Sequence, residues 1–289
     1  MEQVLLSIGH GYSAGAIARA LGPDWRIFAT TRSPERAADF ARAGLEPVVW
    51  TPGGDDAALR AALAEATHLA TSVPPARGPD GSDPVVAHLH GLSAPHLRWI
   101  GYVSASSVYG DAGGEWVDET TATAPGTDRG AARLRAETDW QALATACAVP
   151  IAFLRVAGIY GPGRSALDAL REGRAHRLIK PGQVFNRIHV TDLGRIAAAA
   201  AAAQASGPFN LCDDLPSPPQ DVVTHAAALL GQEPPPEQPF DPDALGPMAR
   251  SFYSENKRLR SVRVGPELGI RLLYPDYRAG LAAIHAGTP

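Results

Sequence analysis

Gly9, Gly11 and Ala14, in the run Gly9-His10-Gly11-Tyr12-Ser13-Ala14, have the types and spacing of a main-chain turn that can approach a negatively charged group. Gly9 permits a tight turn, Gly11 lets the backbone come close to a ligand, and small Ala14 lets a following helix sit near the preceding strand. Unpaired N–H groups at the start of such a helix face an anion, and a dinucleotide pyrophosphate fits them. About twenty residues on, where a site that selects NAD carries an acid for the ribose 2′-hydroxyl, the chain reads Thr30-Thr31-Arg32-Ser33-Pro34. Thr31 takes the acid's place, and the guanidinium of Arg32 can pair with a 2′-phosphate, with Ser33 as a hydrogen-bond donor. The two features together point to NADP(H) as the cofactor. His10, inside the turn, is expected to face solvent or the cofactor edge.

A turn of this kind works only between a strand and a helix, and the chain supplies both. Val4–Ile8 is a short apolar run leading into the turn, and the alanine-rich pattern 14–21 follows it. Further runs at 26–30, 47–50, 68–71, 98–104 and 151–156 read as strands. The patterns 34–43, 57–66, 83–92, 127–146 and 192–203 read as helices. Strand and helix alternating in this way predict a parallel sheet wrapped on both faces. The alanine run of 192–203 must pack closely against a neighbour, and Phe209–Leu211 returns as a strand. Beyond it prolines and glycines punctuate the chain, which predicts a smaller, loop-rich lobe. The expected fold is therefore α/β, a Rossmann-type doubly wound parallel sheet with a loop-rich C-terminal substrate lobe.

The 289 residues suffice to bury a large core, and 45% hydrophobic with 19% charged residues is an ordinary globular balance. Net charge is −4 and no lysine or arginine stripe occurs, so nucleic acid is not an expected partner. The start enters a strand pattern without a basic leader, and no apolar run reaches about 18 residues, so a cytoplasmic protein without a membrane partner is expected. Cys147 and Cys212 stand at no metal-ligand spacing, so neither a metal nor a disulfide framework is expected, and both read as buried packing residues.

Four further segments carry a resemblance: Val103-Ser104-Ala105-Ser106-Ser107-Val108-Tyr109-Gly110, Leu154-Arg155-Val156-Ala157-Gly158-Ile159-Tyr160-Gly161-Pro162-Gly163, Arg187-Ile188-His189-Val190-Thr191-Asp192 and Phe209-Asn210-Leu211-Cys212-Asp213-Asp214. With the glycine turn, in this order and spacing, the chain resembles the extended short-chain dehydrogenase/reductase family, the NAD(P)-dependent sugar epimerases and dehydratases. By this resemblance residues 1–158 and 187–213 are expected to form the dinucleotide domain, and 159–186 with 214–289 the lobe. The resemblance places Ser72 and Val73 in a loop under the cofactor, and it implies a Ser/Thr, a Tyr and a Lys that move a hydroxyl proton during hydride transfer. Here the pattern ending Arg133-Leu134-Arg135-Ala136-Glu137 puts Arg129 at the tyrosine position and Arg133 at the lysine position. The hydroxyl position falls on Ala105, and no tyrosine lies between Tyr109 and Tyr160.

The candidate catalytic groups are then Ser106, Tyr109, Arg129 and Arg133, with a structural role as the alternative for Tyr109. Arginine stays protonated near neutrality, so Arg129 and Arg133 would hold charge, paired with Glu119 or Glu137 or with ligand oxygens. His189 reads as a satisfied buried histidine. Arg164, Arg187, Arg250 and Tyr253, with Lys180 and Lys257, fall in segments that face the family's cleft and would suit a carboxylate or phosphate. The expected function is that of an NADP(H)-binding, epimerase/dehydratase-like or oxidoreductase-like protein acting on an anionic small molecule, of which a sugar derivative is one kind. The alternative is a non-catalytic NADP(H)-binding sensor or interaction module, in either case a monomer or homodimer.

Overall fold

The structure is a computed structural model that describes residues 2–76 and 83–287. Met1, where the leader-free start was read, and the ends of the expected segments at 1 and 289 lie outside the described residues.

The elements run β1 (Gln3–Ile8), α1 (Tyr12–Leu21), β2 (Trp25–Thr31), α2 (Pro34–Arg42), β3 (Glu46–Val49), α3 (Ala57–Glu65), β4 (His68–Thr71), α4 (Val86–Leu89) and β5 (Trp99–Ala105). A 3-10 turn (Ser106–Tyr109), β6 (Trp116–Val117), α5 (Asp128–Ala146), β7 (Ile151–Val156) and β8 (Gly158–Tyr160) follow. Then come α6 (Ala166–Arg171), β9 (Arg177–Ile179), β10 (Arg187–His189), α7 (Val190–Ala202) and β11 (Gly207–Leu211). The chain closes with α8 (Pro219–Leu229), β12 (Glu237–Pro239), α9 (Pro247–Tyr253), β13 (Arg258–Leu259), α10 (Val264–Leu268) and α11 (Tyr277–His285).

Seven strands pair in the order β11-β7-β5-β4-β1-β2-β3, every neighbour parallel. This is the doubly wound Rossmann architecture. Strand order reverses between β1 and β4, and ligands of such sheets bind in the crevice beyond the strand ends at that point. Strands covered on both faces read as predominantly apolar runs, and β7 is buried at each of its residues, Arg155 included. On one face α3, α4 and α5 bury Leu59, Leu89 and Trp140, and on the other Ile17 of α1, Ile196 of α7 and Val264 of α10 share a core. The alanine run packs as its composition requires: Gly194 of α7 lies against the backbone of Ala16 in α1.

Three expectations change. The helix read over 83–92 shrinks to Val86–Leu89, because the Asp83 carboxylate accepts the N–H groups of Val85 and Val86 in a turn and Gly91 ends the segment at positive φ. Cys147 is exposed at the end of α5, and only Cys212 is a buried packing residue. The segment after 214 does not pack as one lobe, since α10 contributes Val264 to the core beside α7. Three parallel strand pairs, β8 with β10, β9 with β12 and β6 with β13, tie the remaining segments together over the sheet's C-terminal edge.

Candidate functional site: a glycine cradle and the cleft above it

At the end of β1 the turn is held from both sides. The amide of Gly9 donates to Thr30 Oγ1 at 2.8 Å, and Ser72 Oγ donates to the Gly9 carbonyl at 2.7 Å. Gly9 has φ +74°, and a Cβ there would lie 2.5 Å from Val73 Cγ2. Ser72 and Val73 thus lie directly beneath the turn. Gly11 is different: it caps α1 with an extended φ of −127°, and a Cβ there would meet only the Gly9 carbonyl, 3.8 Å away. Helix α1 has no side-chain cap and no acid in its first turn, so its first N–H groups face an open cradle. A pyrophosphate fits that cradle in shape and in sign. Ala14 is buried against the strand side, while Tyr12 reaches over the cradle's edge and donates its hydroxyl to the Pro162 carbonyl at 3.1 Å.

His10 does not face solvent. Its ring packs edge-on against Phe40 with centroids 5.0 Å apart, and Nδ1 hydrogen-bonds Ser7 Oγ at 3.0 Å. Burial, followed by the neighbouring Arg36 and Arg19 charges, lowers its pKa to about 4. The imidazole is a neutral core group because the turn folds it inward.

Thr31 is buried at the end of β2, where its Oγ1 accepts the Ser33 amide at 3.2 Å. Ser33 caps α2, accepting the Arg36 amide at 3.2 Å and donating to Glu35 Oε2 at 2.5 Å. Its hydroxyl is therefore already engaged. Arg32 is exposed and makes no ion pair or hydrogen bond among the described residues. Arg36, which sequence reading missed, lies one helical turn on. Its guanidinium sits 5.4 Å from the Phe40 ring centre and reaches the His10 carbonyl at 3.5 Å. Its signal was an i to i+4 spacing from Arg32 across the start of α2.

Beyond the strand ends opens a cleft of about 590 Å³. Ala105, Ser106 and Ser107 line it from the end of β5, Arg129 from α5, Asn186 and Arg187 from β10 and its lead-in, and Phe252 and Tyr253 from α9. Gly130 lets α5 approach the 3-10 turn, since a Cβ there would stand 2.6 Å from the Ser107 carbonyl oxygen. Arg129 lies over the Phe252 ring at 4.9 Å, and Tyr253 packs between Phe185 and Phe240. Arg164 also lines the cleft, but Arg250 does not: it is exposed and stands 3.9 Å from Asp243. Lys180 supports the wall by donating to the Tyr253 carbonyl.

A buried ion pair unread in the sequence also stands in the wall. Lys257 Nζ donates to Glu255 Oε2 and to the Gly110 carbonyl, each at 2.6 Å, and Thr127 Oγ1 donates to Glu255 Oε1 at 3.3 Å. The sequence singles out Lys257 for its charge and gives no expectation for Glu255. Their i to i+2 spacing is silent because their partners arrive from residues 110 and 127.

Tyr109 and Arg133 lie outside the cleft. Tyr109 is buried, its hydroxyl donating to Asn210 Oδ1 at 2.8 Å and accepting from Arg155 at 3.1 Å. It belongs to a network in which Arg155 grips Glu137 through two bonds and Ser104 donates to the same carboxylate. Arg133 donates to Tyr102 Oη at 2.9 Å and to the Val103 carbonyl at 3.0 Å. Neither expected acid pairs with Arg129 or Arg133, because Glu137 holds Arg155 and Glu119 accepts from the Asn210 and Val262 amides. His189 is buried as expected and caps α7 through Nδ1, yet its Nε2 has no hydrogen-bond partner. Among the described residues no cluster of His, Cys, Asp or Glu could hold a metal ion, and no helix is long and apolar enough to cross a membrane.

No family model matches the chain. It is 47% identical to a functionally unknown conserved protein from Silicibacter pomeroyi DSS, with 99% of each chain covered and a TM-score of 0.89. A UDP-glucuronic acid 4-epimerase from Bacillus cereus, solved in complex with NAD, superposes at a TM-score of 0.77 over 98% of each chain with 15% identity, a likeness of fold. A 3-diazoavenalumate denitrifying reductase from Streptomyces sp is 29% identical over 159 residues, so the match spans 52% of this chain and 52% of that reductase.

Proposed function

Since the chain belongs to the family of the Silicibacter pomeroyi protein, with which it shares a Rossmann scaffold end to end, we propose that it is an NADP(H)-dependent oxidoreductase acting on an anionic small molecule. The observation that carries this reading is the open, uncapped glycine cradle with an unpaired Arg32 where an acid would select NAD. In support, the Streptomyces relative is named for a reduction and the Bacillus epimerase binds NAD on the same scaffold.

The first N–H groups of α1 hold the pyrophosphate, and Arg32 with Arg36 hold a 2′-phosphate at the end of β2. When bound, the nicotinamide supplies or accepts a hydride. Arg164 and Arg187 orient the substrate's negative charge, while Phe252 and Tyr253 cover the cleft and exclude water. Without a tyrosine on α5, the groups at the cleft wall that can move a proton include Ser106 Oγ, Ser107 Oγ, Tyr253 Oη and the Glu255–Lys257 pair. Arg129 keeps its proton and contributes charge.

NADPH at about one hundred times its dissociation constant should stabilise the fold by about 2.7 kcal/mol, a melting shift of a few degrees. NADH should shift the transition less, and Arg32→Asp should reverse the order. Equal shifts for both cofactors in the unaltered protein sink the cofactor assignment. Tight NADPH binding without oxidation across a broad panel of carbonyl, imine and diazo carboxylates would instead favour the sensor alternative.

A further inference from the structure

A second cavity, of about 420 Å³, lies behind the cleft among α6, α8 and α11. Tyr160, Arg164 and Arg187 line both spaces and so form the wall between them. Tyr160 is fixed there: its hydroxyl donates to the Asp276 carbonyl at 3.3 Å, and Gly280 of α11 makes room for its ring, which a Cβ would strike. The rest of the chamber is largely apolar, with Ala169, Val222, Val223 and Leu281 among its walls.

The charges at this wall are unbalanced. Arg187 Nη1 is anchored by the carbonyls of Phe185 and Ser217 at 2.9 and 3.2 Å, yet Arg187 makes no ion pair with a carboxylate among the described residues. Burial pulls its pKa below the usual guanidinium value, and Asp213 is the acid whose field acts on it most. Asp213 is itself buried, with Oδ2 lacking a hydrogen-bond partner. Arg164 is exposed, lies 5.9 Å from the Tyr12 ring centre and also lacks an ion pair among the described residues. The other charges of the chamber are engaged: Arg174 pairs with Glu172, and Asp168 accepts from Ser165 in the capping box of α6. Leaving the half-buried Arg187 without an ion pair is costly, and an anion bound against it relieves that cost, with the exposed Arg164 at the same wall able to share the charge.

We propose that the chamber is a second arm of the substrate site, taking the apolar body of an amphiphilic organic anion whose carboxylate or phosphate head is held by Arg187 and Arg164. Calling this occupant a substrate rests on the oxidoreductase reading; its binding does not.

Calorimetric titration can separate the two. Phenyl phosphate and 3-phenylpropionate should bind at least about tenfold more tightly than inorganic phosphate and acetate, a gain the chamber's apolar walls supply. Neutral 3-phenylpropionamide should bind at least about tenfold more weakly than the acid. Ala169→Trp, which fills the chamber from α6, should abolish the aryl advantage while leaving NADPH affinity unchanged, and Arg187→Met should weaken both aryl anions. If Arg187→Met fails to fold, Ala169→Trp decides alone. Aryl anions that bind no better than the small ions, or that bind Ala169→Trp as they bind the unaltered protein, overturn the proposal. Which aryl anion binds more tightly identifies the head as phosphate or carboxylate. Chamber-dependent binding of aryl anions by a protein that does not bind NADPH would uphold the chamber and defeat the cofactor reading alone.

Discussion

Gly9 and Gly11 stand two residues apart in one turn and do opposite physical work. At Gly9 the backbone occupies positive φ and a Cβ would strike Val73, so Gly9→Ala should cost about 1–3 kcal/mol and lower the melting temperature by several degrees. At Gly11 φ is extended and no atom lies nearer than 3.8 Å to a Cβ, so the fold has room for a side chain that the pyrophosphate does not. Gly11→Val should therefore melt within a degree or two of the parent and lose NADPH binding in the same titration. Unchanged NADPH affinity in the folded variant would mean that the cradle is not the binding site. Arg133 teaches the converse lesson about residues. Its place in the sequence suggested a ligand contact, while its bonds to Tyr102 and Val103 make it a brace between α5 and β5.

Helices reach the site by close backbone approach, and glycines set how near they come. Gly194 of α7 is the clearest, because a Cβ there would lie 2.7 Å from the Ala16 carbonyl carbon and nearer still to its oxygen. Backbone cannot yield as a flexible side chain can, so Gly194→Ala should force α1 and α7 apart and cost about 1–3 kcal/mol. Since α1 carries the cradle at its N-terminus, about one helical turn from Ala16, the same variant should also weaken NADPH binding. Thermal denaturation and a dinucleotide titration on this single variant check both, and a parent-like melting temperature would show that the helices have slack. The alanine composition of α7 announced a tight contact; which helix it met depended on the sheet placing α1 and α7 on the same face.

Across the whole molecule, buried titratable groups give stability a pH dependence with a definite sign. Burial lowers His10, His68 and His189 from 6.5 to about 4 each. Unfolded histidines take up protons below about 6.5 and these do not, so their contribution is complete above that pH and is lost as pH falls towards 4. Asp213 opposes them: burial raises it from 3.8 to about 7, so its contribution is present below 3.8 and is lost as pH rises to 7. With three groups against one, the melting temperature should fall between pH 6.5 and pH 4, a loss on the order of a few kcal/mol. Asp213→Asn removes the opposing group and should make that fall steeper. A flat profile in the parent, or an equal slope in the variant, contradicts this account of the interior.

The sequence by itself determined what short stretches of chain decide. A strand, a glycine turn and a helix follow from local φ preferences and apolar periodicity; that no acid stands beside Arg32 is read directly, and that α5 lacks a tyrosine matters only through the family resemblance. Alternation of such units was enough for a parallel doubly wound sheet. Partner choice was not legible, because it depends on groups far apart in the chain. Tyr109 finds Asn210 101 residues away, and Lys257 finds the Gly110 carbonyl 147 residues away. Glu137 was expected beside the arginines of its own helix, but β7 presents Arg155 to it in a buried setting where a bidentate bond outweighs helical proximity. The chamber is tertiary in the same sense. Its wall takes Tyr160, Arg164 and Arg187 from segments that only the β8–β10 pairing brings side by side, and its depth exists only because α11 closes over Tyr160.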